Sequence, residues 1–203
     1  MSSKDKYGKF KKKDYVRTIR SFQNDLCEMW GYTIKPFLFE TRLRKGYLME
    51  FYHCEAGCAI FYDYKQFKNS FGHRSFETQR AYAAAILAHE MRHYYQHRQM
   101  IALKPMESEK TIALWRENEW NPISLEDGNS VIEFHLQPLE LDASLFEYVF
   151  GAEAFGMILL QAVAGEWHLN AMEKLYVEYF GETDKELFGD KIRKYLKVRD
   201  RAN

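Results

Sequence analysis

Apolar residues recur every three to four positions between residues 14 and 30, placing Tyr15, Ile19, Phe22, Leu26 and Trp30 on one face. This spacing predicts a helix, which Gly31 ends. The period then shortens. Thr33 to Arg42, Tyr47 to His53 and Cys58 to Tyr64 are rich in aromatic and β-branched residues, which predicts three strands, with turns at Lys45-Gly46 and Glu55-Ala56-Gly57. Gln66 to Arg74 reads as a loop. The helical period returns from Ser75 to Leu103, a run without Gly or Pro. Ser75 supplies a capping hydroxyl, Glu77 an acid in the first turn, and Pro105 a stop. The apolar stripe of this helix holds Tyr82, Ala85, Ile86 and Met100. It also carries His89, His93 and Gln96 or His97, while Arg80, Arg92 and Arg98 fall mostly off it.

Residues 104–137 read as an insertion, with a short helix at Glu109 to Glu117, a turn at Glu126 to Asn129 and a short strand at Val131 to His135. Pro138 then suits the first turn of a helix, and Leu139, Ala143, Phe146 and Phe150 give it an apolar face. Three more helical segments follow: Ala152 to Val163, Trp167 to Phe180 and Lys185 to Val198. The whole pattern predicts an α+β fold, in which a small, mostly antiparallel sheet precedes one long helix and a helical C-terminal half.

Composition adds little to the fold but bounds the setting. The chain has 203 residues, 46% hydrophobic and 16% aromatic, enough for one domain with its own core. Net charge is zero, which gives no global reason to expect nucleic acid. Charge is unevenly spread, however: residues 1–20 hold eight Lys/Arg against two Asp. Residues 1–13 are therefore expected to form a flexible basic arm, the one part suited to nucleic acid, ahead of a single domain at 14–203. Cys27, Cys54 and Cys58 are too few for a disulfide framework and are expected to be reduced. No apolar run follows the basic start, and Ala154 to Gly165 is too short to span a bilayer. A cytoplasmic protein without a membrane segment is expected.

The candidate chemistry lies in the long helix. Residues 89–93 read His-Glu-Met-Arg-His. Residues four apart sit about 40° from each other around a helix, so His89 and His93 can converge on one metal ion. Glu90 projects beside them, where a carboxylate can take a proton from a metal-activated water. HExxH on a helix is the signature of zinc peptidases for this reason. A third ligand is needed. His97 is two turns from His89 on the same helix, and a straight helix does not bring all three histidines to one ion; His97 is expected near the site rather than in it. Glu140, 47 residues after His93, sits at the edge of the next helix's apolar face and is the better candidate. Asp142 is the alternative, or an orienting group for a ligand histidine. An oxyanion donor is also required, with His168, Tyr94, Tyr95, His135 and Arg92 as the choices.

HExxH followed by Glu140-x-Asp142-Ala143 resembles the zincin metallopeptidases with a glutamate third ligand, and most of all the small ImmA/IrrE-type proteins. The resemblance covers roughly residues 45–150. It implies a zincin-like domain that binds Zn2+ and hydrolyses a protein or peptide substrate. By position, His89, His93 and Glu140 correspond to the zinc ligands and Glu90 to the general base. It also implies that a strand bordering the cleft, here assigned to Cys58 to Tyr64, takes up extended substrate as a further strand. Two features set this chain apart: Arg92 replaces a usually small residue, and the insertion before Glu140 is acidic and contains tryptophan. A second class of function stays open, in which the scaffold is catalytically silent and acts as a sensor or binding protein for DNA or a regulatory protein.

Overall fold

A computed structural model describes residues 9–124 and 131–156. Its elements run α1 (Lys12–Met29), β1 (Phe37–Glu40), β2 (Met49–Cys54), β3 (Gly57–Tyr62), α2 (Tyr64–Phe71), α3 (Phe76–Met100), α4 (Glu109–Trp120), α5 (Val131–Leu136) and α6 (Pro138–Phe155). The fold is α+β with a helical majority, as the hydrophobic pattern predicts. The C-terminal segments at 157–198, and the turn at Glu126 to Asn129, lie outside the described residues. The end of α6 takes in the first residues of the segment expected from Ala152, so Gly151 lies inside a continuous helix.

The three strands form a mixed sheet in the order β1-β3-β2. β2 and β3 pair antiparallel, with Phe51 opposite Ile60 and Cys54 opposite Gly57, while β1 runs parallel to β3, with Phe37 opposite Ala59. Gly57, at φ 137°, closes the β2–β3 hairpin in a conformation that side-chain-bearing residues avoid. This order corrects one expectation. β3, assigned to border the cleft and accept substrate, is the central strand and is paired on both sides. β2 is the edge strand that packs against α3, and among the described residues no strand pairs with its outer edge.

α3 is the axis of the molecule. It packs against α6, α1, β2 and α4, so its sides are buried well beyond the single stripe that periodicity suggests. Ala83, Ala84, Leu87, Ala88 and Met91 of α3 meet Tyr15, Ile19, Phe22 and Leu26 of α1 and Phe146 and Phe150 of α6 in one core. The run of alanines lets neighbouring helices approach closely. A second cluster, Tyr95, Met100, Ile112 and Trp115, fixes α4 to the C-terminal half of α3. Ser75 caps α3 by accepting from the Thr78 amide, as expected.

Three local readings change. Gln66 to Arg74 is mostly the helix α2, capped by Asp63, whose carboxylate accepts from the Gln66 amide. Its polar Asn69, Ser70 and Gly72 mimic a loop, but Phe67 and Phe71, four apart, anchor it to the core. Val131 to His135 is helical and not a strand, because β-branched propensity is weak without a strand edge to pair with. At the N-terminus α1 begins at Lys12 and Phe10 is buried against Phe67 and Phe76, so the fold starts earlier than residue 14. Lys12 pairs with Glu40 at 2.6 Å. Residues 1–8 lie outside the described set.

Candidate metal centre

α3 and α6 pack side by side, and their facing surfaces bring His89, His93 and Glu140 together. The two Nε2 atoms are 3.2 Å apart. His89 Nε2 is 3.3 Å from Glu140 Oε2, and His93 Nε2 is 3.4 Å from Glu140 Oε1. A tetrahedral zinc with bonds of about 2.0–2.1 Å needs donors roughly 3.3 Å apart along its edges. The spacing of the two histidine nitrogens fits that figure, each histidine faces its own Glu140 oxygen at a similar distance, and two imidazoles with one carboxylate are a chemically suitable donor set. Sequence reasoning could not choose between Glu140 and Asp142; the structure puts Glu140 against both histidines.

Asp142 is elsewhere. Its carboxylate accepts two hydrogen bonds from Arg92, from Nε at 2.7 Å and Nη2 at 3.0 Å, and a third from Gln96 Nε2 at 2.7 Å. Gln96 in turn contacts His93 Nδ1 at 2.8 Å through its Oε1. Asp142 therefore reaches His93 through Gln96 instead of directly. Because Gln96 Oε1 is an acceptor, it favours a proton on Nδ1 and leaves Nε2 free to accept or to bind a metal. Glu147 does the same for His89, with Oε2 at 3.3 Å from Nδ1.

Neither Glu147 nor the role of Gln96 was foreseen. The signal was present: Glu147 follows Glu140 by seven residues, two helical turns, and so shares its face.

The ionisable groups are strongly perturbed. Burial alone would lower the pKa of His89, but hydrogen bonds to Glu140 and Glu147 outweigh it and hold it well above the ordinary value. His93 is also raised, burial being overcome by Glu140. Glu140 moves the other way: burial opposes its charge, but the adjacent histidines drive its pKa far down. Glu90 is raised because burial disfavours its charge, partly offset by His89, His93 and an amide. That amide is Phe51 N–H, on edge strand β2, which donates to Glu90 Oε2 at 2.7 Å.

A cleft of about 290 Å³ opens beside this cluster. His93 and Glu140 reach it, as do Phe51 and His53 of β2, Asn118 and Glu119 of α4, and Phe134 of α5. The insertion thus builds one wall. His97 also borders the cleft but belongs to a separate group with His53 and Glu119.

Of the oxyanion choices, three are committed elsewhere. Tyr94 donates to the Ile34 carbonyl at 2.7 Å, Tyr95 to Glu107 at 2.8 Å, and Arg92 to Asp142. Arg92, expected off the apolar face, is 3% exposed and lies over the rings of Tyr95 and Trp115. His135 is not among the residues lining the cleft. His168 lies outside the described residues.

No protein-family model matches the chain, and no curated protein or solved structure matches it either. Among the described residues no helix is long and apolar enough to cross a membrane.

Proposed function

We propose that this chain is a zinc-dependent metallopeptidase, with His89, His93 and Glu140 as ligands and Glu90 as general base. The observation that carries the proposal is the convergence of His89, His93 and Glu140 from two facing helices, with the histidine Nε2 atoms 3.2 Å apart and each 3.3–3.4 Å from one oxygen of Glu140. Zinc, when bound, supplies Lewis acidity that acidifies water and polarises a scissile carbonyl. The remaining work falls to the chain's own groups. Gln96 and Glu147 hold the two ligand imidazoles in the tautomer that exposes Nε2. Glu90 takes a proton from the attacking water and returns it to the leaving amine, and its raised pKa suits both transfers. An extended protein or peptide substrate lies along the outer edge of β2, whose Phe51 and His53 line the cleft. Its sequence is not selected by main-chain pairing, so side-chain preference falls to the α4 and α5 wall. His168 remains the proposed oxyanion donor.

The test has two parts. Protein purified without added metal is assayed for zinc as the parent and as His89→Ala and His93→Ala. The parent is expected to carry zinc that both variants lose, and equal zinc in all three overturns the ligand assignment. Parent and Glu90→Gln are then compared on a proteome-derived peptide library. Cleavage that Glu90→Gln abolishes, with zinc retained, is expected. No such cleavage would favour a silent, binding role for the same scaffold.

A further inference from the structure

Outside the proposed peptidase centre, one other cluster has the donor chemistry of a metal site. His53 from β2, His97 from α3 and Glu119 from α4 each offer a ligand atom, all within 4.8 Å of one another. His53 Nε2 and Glu119 Oε1 are already 3.2 Å apart. The imidazoles of His53 and His97 stack at 4.1 Å with an interplanar angle of 28°. Two stacked imidazoles, only one of them paired with the nearby carboxylate, are an awkward arrangement as pure structure. Among the described residues His97's ring nitrogens have no hydrogen-bond partner, and His53 meets only a carboxylate. Burial, helped by nearby His53 and Arg98, pushes His97 down to about 4, so it is a neutral imidazole near neutral pH, the form that binds metal.

We propose that His53, His97 and Glu119 form a second zinc-type site, which staples α4 to the edge of β2 across the cleft. Two imidazoles and a carboxylate suit zinc and leave a fourth position for water. The group needs only a small contraction from the present spacing to about 3.3 Å, and all three side chains are at least partly exposed. The site is separate from the first. None of its three donors belongs to the group formed by His89, His93 and Glu140. Occupation would bring the α4 wall down on β2 and narrow the cleft that also holds His93 and Glu140. The inference stands on its own donors and does not require the chain to be a peptidase.

The test is stoichiometric. Full-length protein is stripped of metal with a chelator and titrated with zinc by calorimetry, and with cobalt by visible absorption. The parent is expected to take two equivalents. His53→Ala, His97→Ala and the conservative Glu119→Gln should each take one, as should His89→Ala/His93→Ala, which retains the second site. Circular dichroism of the metal-free variants checks folding, and Glu119→Gln, a solvent-reaching substitution, keeps the test alive if a histidine variant unfolds. One equivalent in the parent that the His53, His97 and Glu119 variants retain, or two in Glu119→Gln, overturns the second site. Loss confined to His89→Ala/His93→Ala overturns it while leaving the peptidase centre intact, and loss confined to the other three does the reverse.

Discussion

Arg92 holds Asp142 through two guanidinium nitrogens, Nε to Oδ2 at 2.7 Å and Nη2 to Oδ1 at 3.0 Å, and this bidentate pair ties α3 to α6. It joins the helix carrying His89 and His93 to the helix carrying Glu140. Both partners are almost wholly buried, Arg92 at 3% and Asp142 at 8% exposure. Removing Asp142 leaves the buried Arg92 without its two short charge-assisted hydrogen bonds, with Glu107 farther off at 3.6 Å. Asp142→Ala is expected to cost about 3–5 kcal/mol in unfolding free energy. Replacing both, with Arg92→Met and Asp142→Leu, should be near neutral, because neither charge is then left unpaired. Urea denaturation of the three proteins measures this. A double variant as unstable as the single one would show that the pair has little to do with the loss.

Glu147 and Gln96 form the shell behind the ligands, one against each histidine's Nδ1. Glu147→Ala removes a partner from His89 without touching a ligand atom. Outer partners of this kind contribute about 10–100-fold to metal affinity. Zinc affinity of Glu147→Ala is therefore expected to fall by about that factor, read by competition with a chelating dye, with the far-ultraviolet spectrum unchanged. Equal affinity in the two proteins would assign Glu147 no orienting role.

Much of this site was legible because the helical period places residues on faces independently of the rest of the fold. His89 and His93 follow from a single helix and its periodicity, which also narrows the third position to Glu140 or Asp142 without choosing between them. The second shell was harder. The spacing puts Glu147 on the same face as Glu140, but its contact with His89 depends on how α6 packs against α3, where Phe146 and Phe150 join the common core. Arg92 reads as a surface residue on its own helix because its partner lies 50 residues away. α2 and α5 were misread for a related reason: short segments take their structure from the surfaces around them, and propensity alone is a weak guide. The sheet order was beyond local reading too, since the parallel pairing of β1 with β3 is a long-range contact.

α2 gives a direct test of one of those misreadings. Phe67 is wholly buried and its ring sits 4.6 Å from that of Tyr15, 5.2 Å from Phe71 and 6.2 Å from Phe10. If the segment were a surface loop, truncation there would cost little. In this packing Phe67→Ala opens a cavity among the aromatic rings of α1 and α2, and about 3–5 kcal/mol of stability should be lost. A loss below about 1 kcal/mol in denaturant titration would contradict the packing of α2.

The protonation of the site yields the final prediction, with a definite sign. His89 and His93 have raised pKa values in the metal-free fold, since Glu140 beside both and Glu147 beside His89 overcome the cost of burial. The charged forms therefore stabilise the fold, fully so below the unfolded value of about 6.5, and that contribution is lost as pH rises through the higher folded values. Zinc needs the neutral imidazoles, so its binding must expel these protons. Zinc affinity should consequently climb with pH over the same window in which metal-free stability falls. Calorimetric titration at pH 7 in buffers of different ionisation enthalpy should detect proton release with each zinc bound at this site, shrinking as pH is raised. Glu140→Gln, which removes the carboxylate, should lessen that release and weaken zinc together. Metal-free protein that grows more stable between about pH 6.5 and pH 8 would reverse the sign and remove the coupling between Glu140 and the histidines.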